Sequence, residues 1–544
     1  MMRYTAHVDT FARDNLPPKD QWPELLFDLP ELQHPDRLNC GVELLDKAIE
    51  KGWGNHVALL GEGVRWTYAE ALAKANQVAR VLTEDMGLVP GNRVLLHGPN
   101  HPMLAVNWLA VAKAGLIAVT TMPMLRKKEL GEIVERAQIS AALCDKRTSD
   151  ELLKTQEQSS ILEQIVFYMD AGVDGLEARL AAKPATFDNV DTASDDTVII
   201  AFTSGTTGVP KATMHFHRDV LAICDTFPKS IVKMRADDIC IGSPPLGFTF
   251  GLGGLLVFPL RVGGGSVLLE KYTPDTFLQA IDQYKATITW TGPFFYRKCA
   301  ELASSYDLSS LRKCVSAGEA LPAATRALWK EATGIEIIDG IGATEMLHIF
   351  ISHTEEEARP GATGKPVPGY QACVLDNQGN PLPRGQVGRL AVKGPTGCRY
   401  LADDRQRAYV QGGWNVTGDT YLIDDDGYFV YQARSDDMII TSGYNVAGPE
   451  VEGALLLHDA VGECAVVGAP DEERGTIIKA YVVLREGYQA SDALVKELQD
   501  FVKNTIAPYK YPRAIEFIPE LPRTNTGKVQ RYVLRQQAWA KVQS

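Results

Sequence analysis

Phe202-Thr203-Ser204-Gly205-Thr206-Thr207-Gly208-Val209-Pro210-Lys211 follows a short apolar run, Thr197-Val198-Ile199-Ile200-Ala201. The run reads as a buried strand, and the segment after the loop, with a polar start and apolar periodicity, as a helix. The loop therefore leaves a strand end, where ligand sites of open α/β sheets collect. Its glycines let a ligand approach the main chain, and its hydroxyls and backbone N–H groups can surround phosphate oxygens. Lys211 adds a mobile positive charge. The Walker spacing GxxxxGK[ST] is absent, and neither Gly364-Lys365 nor Gly527-Lys528 supplies it, which disfavours a P-loop kinase.

Strands alternate with helices on both sides of this loop. Thr67-Tyr68-Ala69-Glu70 is a capping box opening a helix through Leu82. Strands follow at Arg93–His97 and Leu116–Thr121, with helices at Pro102–Lys113 and Arg126–Ala137. Further strands are read at 238–242, 267–269, 286–290, 312–316 and 335–338, with helices between them. This alternation predicts two layered α/β subdomains up to about residue 350. From about 360 to 433, glycines, prolines and short strands predict a small β-barrel. Residues 434–544 read as a separate α+β domain, and 1–433 as the large N-terminal domain. Residues 1–50 read as a wrapping arm with one helix, Val42–Glu50.

The 544 residues carry a net charge of −13, with 45% apolar and 23% charged residues. That balance suits a large globular enzyme and argues against general binding of nucleic acid or an anionic membrane. Nine scattered cysteines form no CxxC pair and suit a reduced, cytoplasmic protein without a zinc site. No apolar run reaches membrane-spanning length, no signal core follows the N-terminus, and no GxSxG elbow appears.

Four other stretches carry chemistry. Ile341-Gly342-Ala343-Thr344-Glu345 again ends a strand, and Glu345 can hold a Mg²⁺ that bridges phosphates. Asp419, closing Trp414–Asp419, can accept ribose hydroxyls, although alone it reads as a turn residue. Arg434 with Asp436-Asp437 sits where the pattern changes, so it marks a domain junction or a solvated charge cluster. Lys528 closes Leu521-Pro522-Arg523-Thr524-Asn525-Thr526-Gly527-Lys528, a polar loop able to swing a cation into a distant site.

In this order and spacing, the five stretches resemble the adenylate-forming superfamily of acyl-CoA synthetases, adenylation domains and luciferases, from about residue 50 to Gln537. The resemblance implies that Thr203, Ser204, Gly205, Thr206 and Thr207 contact ATP phosphates. It places Gly318, Glu319, Ala320, Asp339, Gly340, Ile341, Gly342, Ala343 and Thr344 around the adenine. Asp419 and Arg434 serve the ribose, and Glu345 the Mg²⁺. Lys528 becomes the adenylation lysine, with Lys211 and Thr344 in supporting catalytic roles. Asp436 is the hinge of a mobile C-terminal domain, and Gly443, with Phe248, lies on the thiol tunnel. The acid pocket falls to Phe248, Thr249, Phe250, Gly342 and His348.

Thr344–Phe350, and the opening Thr5–Phe11, look like the benzoate and 2-aminobenzoate branch. Many relatives carry His where this chain has Phe248, so no imidazole role transfers there. The implied reaction is ATP-dependent activation of an aryl acid and its transfer to coenzyme A, in the breakdown of aromatic acids. 2-Aminobenzoate comes first and benzoate second. Loading of a carrier protein, a luciferase-like oxygenase, an acyl sensor, and a ligase for another aryl or medium-chain acid are the alternatives. A homodimer is left open.

Overall fold

The computed structural model describes residues 4–203, 210–434, 437–441, 444–471, 475–506, 508–524 and 528–540. Two large sheets dominate. The first runs Gln164–Tyr168, Ala141–Asp145, Arg93–His97, Ile117–Thr121, Thr197–Thr203, Lys211–Phe216 in spatial order. Its first five strands are parallel and the last is antiparallel. Arg93–His97 and Ala141–Asp145 are buried throughout, as expected of parallel strands covered on both faces.

Here the structure corrects the reading of the loop. Lys211–Phe216 is a strand, not the start of a helix, and the helix follows at His217–Asp225. Ala212 through Phe216 are all buried, so no polar–apolar alternation reveals the strand. The loop therefore joins two antiparallel neighbours, with Thr203 directly opposite Lys211.

The second sheet has nine strands. Six parallel neighbours, Val57–Gly61, Gly265–Val267, Ile239–Gly242, Ile288–Thr291, Lys313–Ser316 and Ile337–Gly342, form most of it. Ile349–Ser352 and Lys365–Pro366 extend one edge antiparallel. Helix Pro102–Lys113 is buried at every position and packs against strands of both sheets, so the layers share one core. The capping box is formed: Glu70 N donates to Thr67 Oγ1 at 3.3 Å, and Thr67 N to Glu70 Oε2 at 2.8 Å.

Residues 371–434 form an antiparallel five-stranded unit, in which Asp419 faces Arg434 across neighbouring strands. The arm joins this unit to the first sheet's domain. Ala6 N donates to Asp196 Oδ2 at 2.9 Å, Val8 N to Pro90 O at 2.9 Å, and Leu26 N to Gly394 O at 2.9 Å. Val42–Glu50 is helical as read, with a π-helical first half.

Beyond it, Val461–Asp471, Gly475–Leu484 and Ala514–Phe517 form a three-stranded sheet packed by helices Gly448–Leu455 and Asp492–Thr505. Helix Arg531–Ala540, which the sequence reading missed, packs on the other face. Among the described residues, two apolar clusters in this part are drawn wholly from residues 439–534, and none of the clusters of the larger part joins them.

Candidate active site

The carboxyl ends of parallel strands bring the predicted loops together. Thr197–Thr203 leads to the first loop, Lys313–Ser316 to Gly318, Glu319 and Ala320, and Ile337–Gly342 to Ala343, Thr344 and Glu345. Ser204 through Thr207 lie outside the described residues, as do Asp436 and Gly443. The flanks of the first loop are fixed. Thr203 is half-buried, and Arg136 and Arg405 both donate to Pro210 O, at 2.9 and 3.4 Å.

Lys528 arrives from the C-terminal part. Its Cε lies 3.5 Å from the point where a Cβ on Gly318 would stand. Gly318 has φ +95, a conformation that favours glycine. Val529 N donates to Glu319 Oε1 at 3.1 Å, tying the incoming loop to the large domain. Lys528 N donates to Thr524 Oγ1 and Thr524 N to Lys528 O, so the loop is closed on itself. Solvent reaches Lys528, yet the surrounding walls desolvate its ammonium and lower its pKa. Glu319 opposes that shift, and Arg434 adds to it.

Arg434 Nη1 lies 3.5 Å from Asp419 Oδ1. Burial raises the Asp419 pKa and the Arg434 charge pulls it back. Lys528, Glu319, Asp419 and Arg434 thus form one electrostatic group, and Glu345 is close enough to act on Asp419.

Glu345 is buried on the short 3₁₀ turn Thr344–Met346. His215 Nε2 donates to Thr344 O at 2.8 Å and steadies the turn. Leu347 then takes φ +67 although it carries a side chain. Such a strained residue persists only where its surroundings over-determine it. It turns His348 into the interior.

His348 is buried, but not on a helix. Phe258, Phe250, Phe227 and Trp290 surround it, with ring centroids at 4.5, 5.7, 5.8 and 6.2 Å. Burial lowers its pKa to about 3, so the ring is neutral. Among the described residues neither ring nitrogen has a hydrogen-bond partner of ordinary geometry, and the backbone at Phe250 is a polar neighbour. Glycine makes the packing possible. A Cβ on Gly253 would stand 2.5 Å from His348 Nε2, and one on Gly342 2.8 Å from His348 O. Phe248, Thr249 and Phe250 are half-buried on the adjoining segment. Asn100 holds its approach, accepting from Leu246 N at 2.8 Å and donating to Pro244 O at 3.0 Å.

A family model described as AMP-binding enzyme matches residues 46–400, and one for the C-terminal domain of AMP-binding enzymes matches 450–528. The chain belongs to the AMP-binding enzyme family. Among AMP-binding enzymes it is similar to the benzoate–CoA ligase of Thauera aromatica, at 35% identity over 93% of this chain and 97% of the relative. The solved anthranilate CoA ligase AuaEII, in complex with anthranoyl-AMP, superposes with TM-score 0.90 at 35% identity, covering 95% and 100% of the two chains. A benzoate CoA ligase from Burkholderia xenovorans LB400 gives TM-score 0.83 at 31% identity, covering 91% and 99%.

Sequence reasoning did not single out Phe227, Phe258 and Trp290, which surround His348 in this AMP-binding enzyme. It also missed Tyr400, whose hydroxyl donates to Glu345 Oε1 at 2.5 Å.

Asp339 yields a first prediction. Its carboxyl is buried, Oδ1 has no hydrogen-bond partner, and burial pushes its pKa up to about 7 against the pull of Arg326. The folded state therefore holds its proton up to about pH 7, whereas the unfolded chain releases it near pH 4. The benefit of the protonated form is complete below pH 4 and is lost as pH rises to 7. The displacement corresponds to a stability loss on the order of 4 kcal/mol. Asp339→Asn should melt several degrees higher than the parent at pH 8, with the gap closing towards pH 4. A gap that stays constant with pH would contradict this assignment.

Proposed function

We propose that this acid–thiol ligase activates an aromatic carboxylic acid with ATP, releasing pyrophosphate, and passes the aryl group to coenzyme A with release of AMP. The preferred acid is 2-aminobenzoate, with benzoate next. The observation that carries the aryl reading is the aromatic enclosure of His348, whose nitrogens have no protein partner of good geometry. The half-buried Phe248 and Phe250 offer apolar faces to a flat ring. A neutral imidazole offers one donor and one acceptor, and Thr249 a hydroxyl, to a polar ring substituent. The relatives named for benzoate and anthranilate support the same class.

In the first half-reaction the acid carboxylate attacks the ATP α-phosphorus and pyrophosphate leaves. Two anions must meet, so positioning and positive charge carry the catalysis. Thr203, Lys211 and the loop between them flank the phosphates. Gly318–Ala320 and Asp339–Thr344 line the adenine, and Asp419 with Arg434 takes the ribose. Lys528 stands at the reacting centre. Among the described residues no group of three or more His, Cys, Asp or Glu is arranged to hold a metal. A single buried carboxylate, Glu345, still suits Mg²⁺, which takes one or two protein oxygens and completes its shell with phosphates and water. Bound there, Mg²⁺ would supply charge neutralisation.

In the second half-reaction the coenzyme A thiol attacks the aryl-adenylate carbonyl and AMP leaves. Residues 434–544 turn about Asp436 to withdraw Lys528, and Gly443 with Phe248 then borders the thiol path. Among the described residues no helix is long and apolar enough to cross a membrane. A cytoplasmic enzyme of aromatic-acid breakdown suits that and the reduced cysteines.

A panel of acids tests the reading. 2-Aminobenzoate should give the highest kcat/KM for thioester formation, with benzoate next. Gly253→Ala, which drives a methyl into His348, should raise KM for these acids about 10-fold or more and leave KM for ATP unchanged. Faster turnover of medium-chain fatty acids would refute the aryl assignment. Transfer to a carrier protein but not to free coenzyme A would refute the second step.

A further inference from the structure

Tyr400 is fully buried, on a segment for which the proposed reaction has no use. Its hydroxyl donates to Glu345 Oε1 at 2.5 Å and accepts from Lys211 Nζ at 3.3 Å. A phenol has one donor and room for an acceptor interaction, so both bonds form together. The bond to Tyr400 engages one of the two Glu345 oxygens, Oε1.

Several bonds hold the phenol in place. Leu401 N donates to Ala212 O and Met214 N to Arg399 O, each at 2.8 Å. These bonds fasten Arg399–Leu401 to the strand that begins with Lys211. Tyr400 N donates to Gln406 Oε1 at 2.9 Å, and the ring meets Tyr409 edge-on at 5.8 Å. Behind it, Arg399 pairs with Asp219, both fully buried, and Asp219 also accepts from Phe216 N at 3.0 Å.

We infer that Tyr400 is a positioning residue for the metal-bound nucleotide: it holds one oxygen of Glu345 by hydrogen bond, leaves the other for the cation, and keeps Lys211 beside the carboxylate without a direct ion pair. The inference rests on the reading of Glu345 as the Mg²⁺ carboxylate. A lysine paired directly with Glu345 would compete with the cation for its charge. The intervening hydroxyl prevents that and keeps both charges on the phosphate side. Outer partners of metal-binding carboxylates act in this way by fixing orientation.

Tyr400→Phe tests the inference, since it removes one oxygen and keeps the ring. Manganese is the probe, with binding read by electron paramagnetic resonance and ATP binding by calorimetry. The variant should bind Mn²⁺–ATP about 10-fold more weakly and bind ATP in EDTA as the parent does. Aryl-adenylate formation should need more Mg²⁺, while thioester formation from supplied aryl-adenylate stays unchanged. In a Glu345→Gln background the same change should have little further effect, because Tyr400 acts through Glu345. Equal weakening with and without metal, additive effects in the double variant, or unchanged metal binding would each overturn the assignment. Should Tyr400→Phe fail to fold, Lys211→Met replaces it: metal-free ATP binding should weaken, and metal binding should be retained. Loss of metal binding in that variant would overturn the separate roles. If the parent released no pyrophosphate with any aryl acid, the proposed function would fail, and the Mn²⁺–ATP comparison would still decide the role of Tyr400.

Discussion

Replacing Lys528 with Ala should lower the rate of aryl-adenylate formation by about 100- to 1,000-fold, the usual loss when one preorganised group at a developing charge is removed. Thioester formation from supplied aryl-adenylate should be nearly untouched. The asymmetry follows from where Lys528 sits. It reaches Gly318 on a closed loop from the C-terminal part, beside Glu319, and it belongs electrostatically with Asp419 and Arg434. In the proposed reaction, negative charge would build there only while the carboxylate approaches the α-phosphate. Aryl-dependent pyrophosphate exchange reads the first step, and thiol consumption with purified aryl-adenylate reads the second. Comparable losses in both would mean that Lys528 serves a shared structural purpose, and the division of labour would be wrong.

Glu345→Gln should cost the first step about 100-fold at a fixed low Mg²⁺ concentration, through weaker capture of the metal-bound nucleotide. The substitution keeps the shape of the side chain and removes its charge. Part of the lost rate should return as Mg²⁺ is raised, which Lys528→Ala should not show. A Mg²⁺ titration of pyrophosphate exchange separates the two variants. Identical titration midpoints for parent and Glu345→Gln would remove Glu345 from the metal site.

What the sequence made legible followed from local chemistry. The strand before the phosphate loop stood out as a short β-branched run next to a burst of Gly, Ser and Thr. Thr67 and Glu70 announced a helix start because both partners of the cap lie within four residues. Asp419, Arg434 and Lys528 were individually weak, and gained meaning only from their order along a chain that resembled a known superfamily. The strand after the loop stayed hidden because it is buried on both faces, so it lost its alternation. Trp290, Phe227 and Phe258 looked like any core aromatics, since only the fold reveals that they face an imidazole. Tyr400 was invisible for a different reason. Its partners lie 55 and 189 residues away, and no spacing encodes such a meeting.

The separation of apolar clusters at the boundary of the C-terminal part has a thermodynamic consequence. Among the described residues, the contacts beside Lys528 include one hydrogen bond from Val529 to Glu319, the Arg523 guanidinium over the Phe294 ring at 3.9 Å, and the Lys298–Glu463 pair at 3.8 Å. Contacts of these kinds each contribute about 1 kcal/mol or less when solvent reaches them. In the proposed cycle such a docked pose would be one occupant of an exchanging population. Whichever ligand is bound would then set the balance, and passing from one half of that cycle to the other would not require any of these apolar clusters to melt.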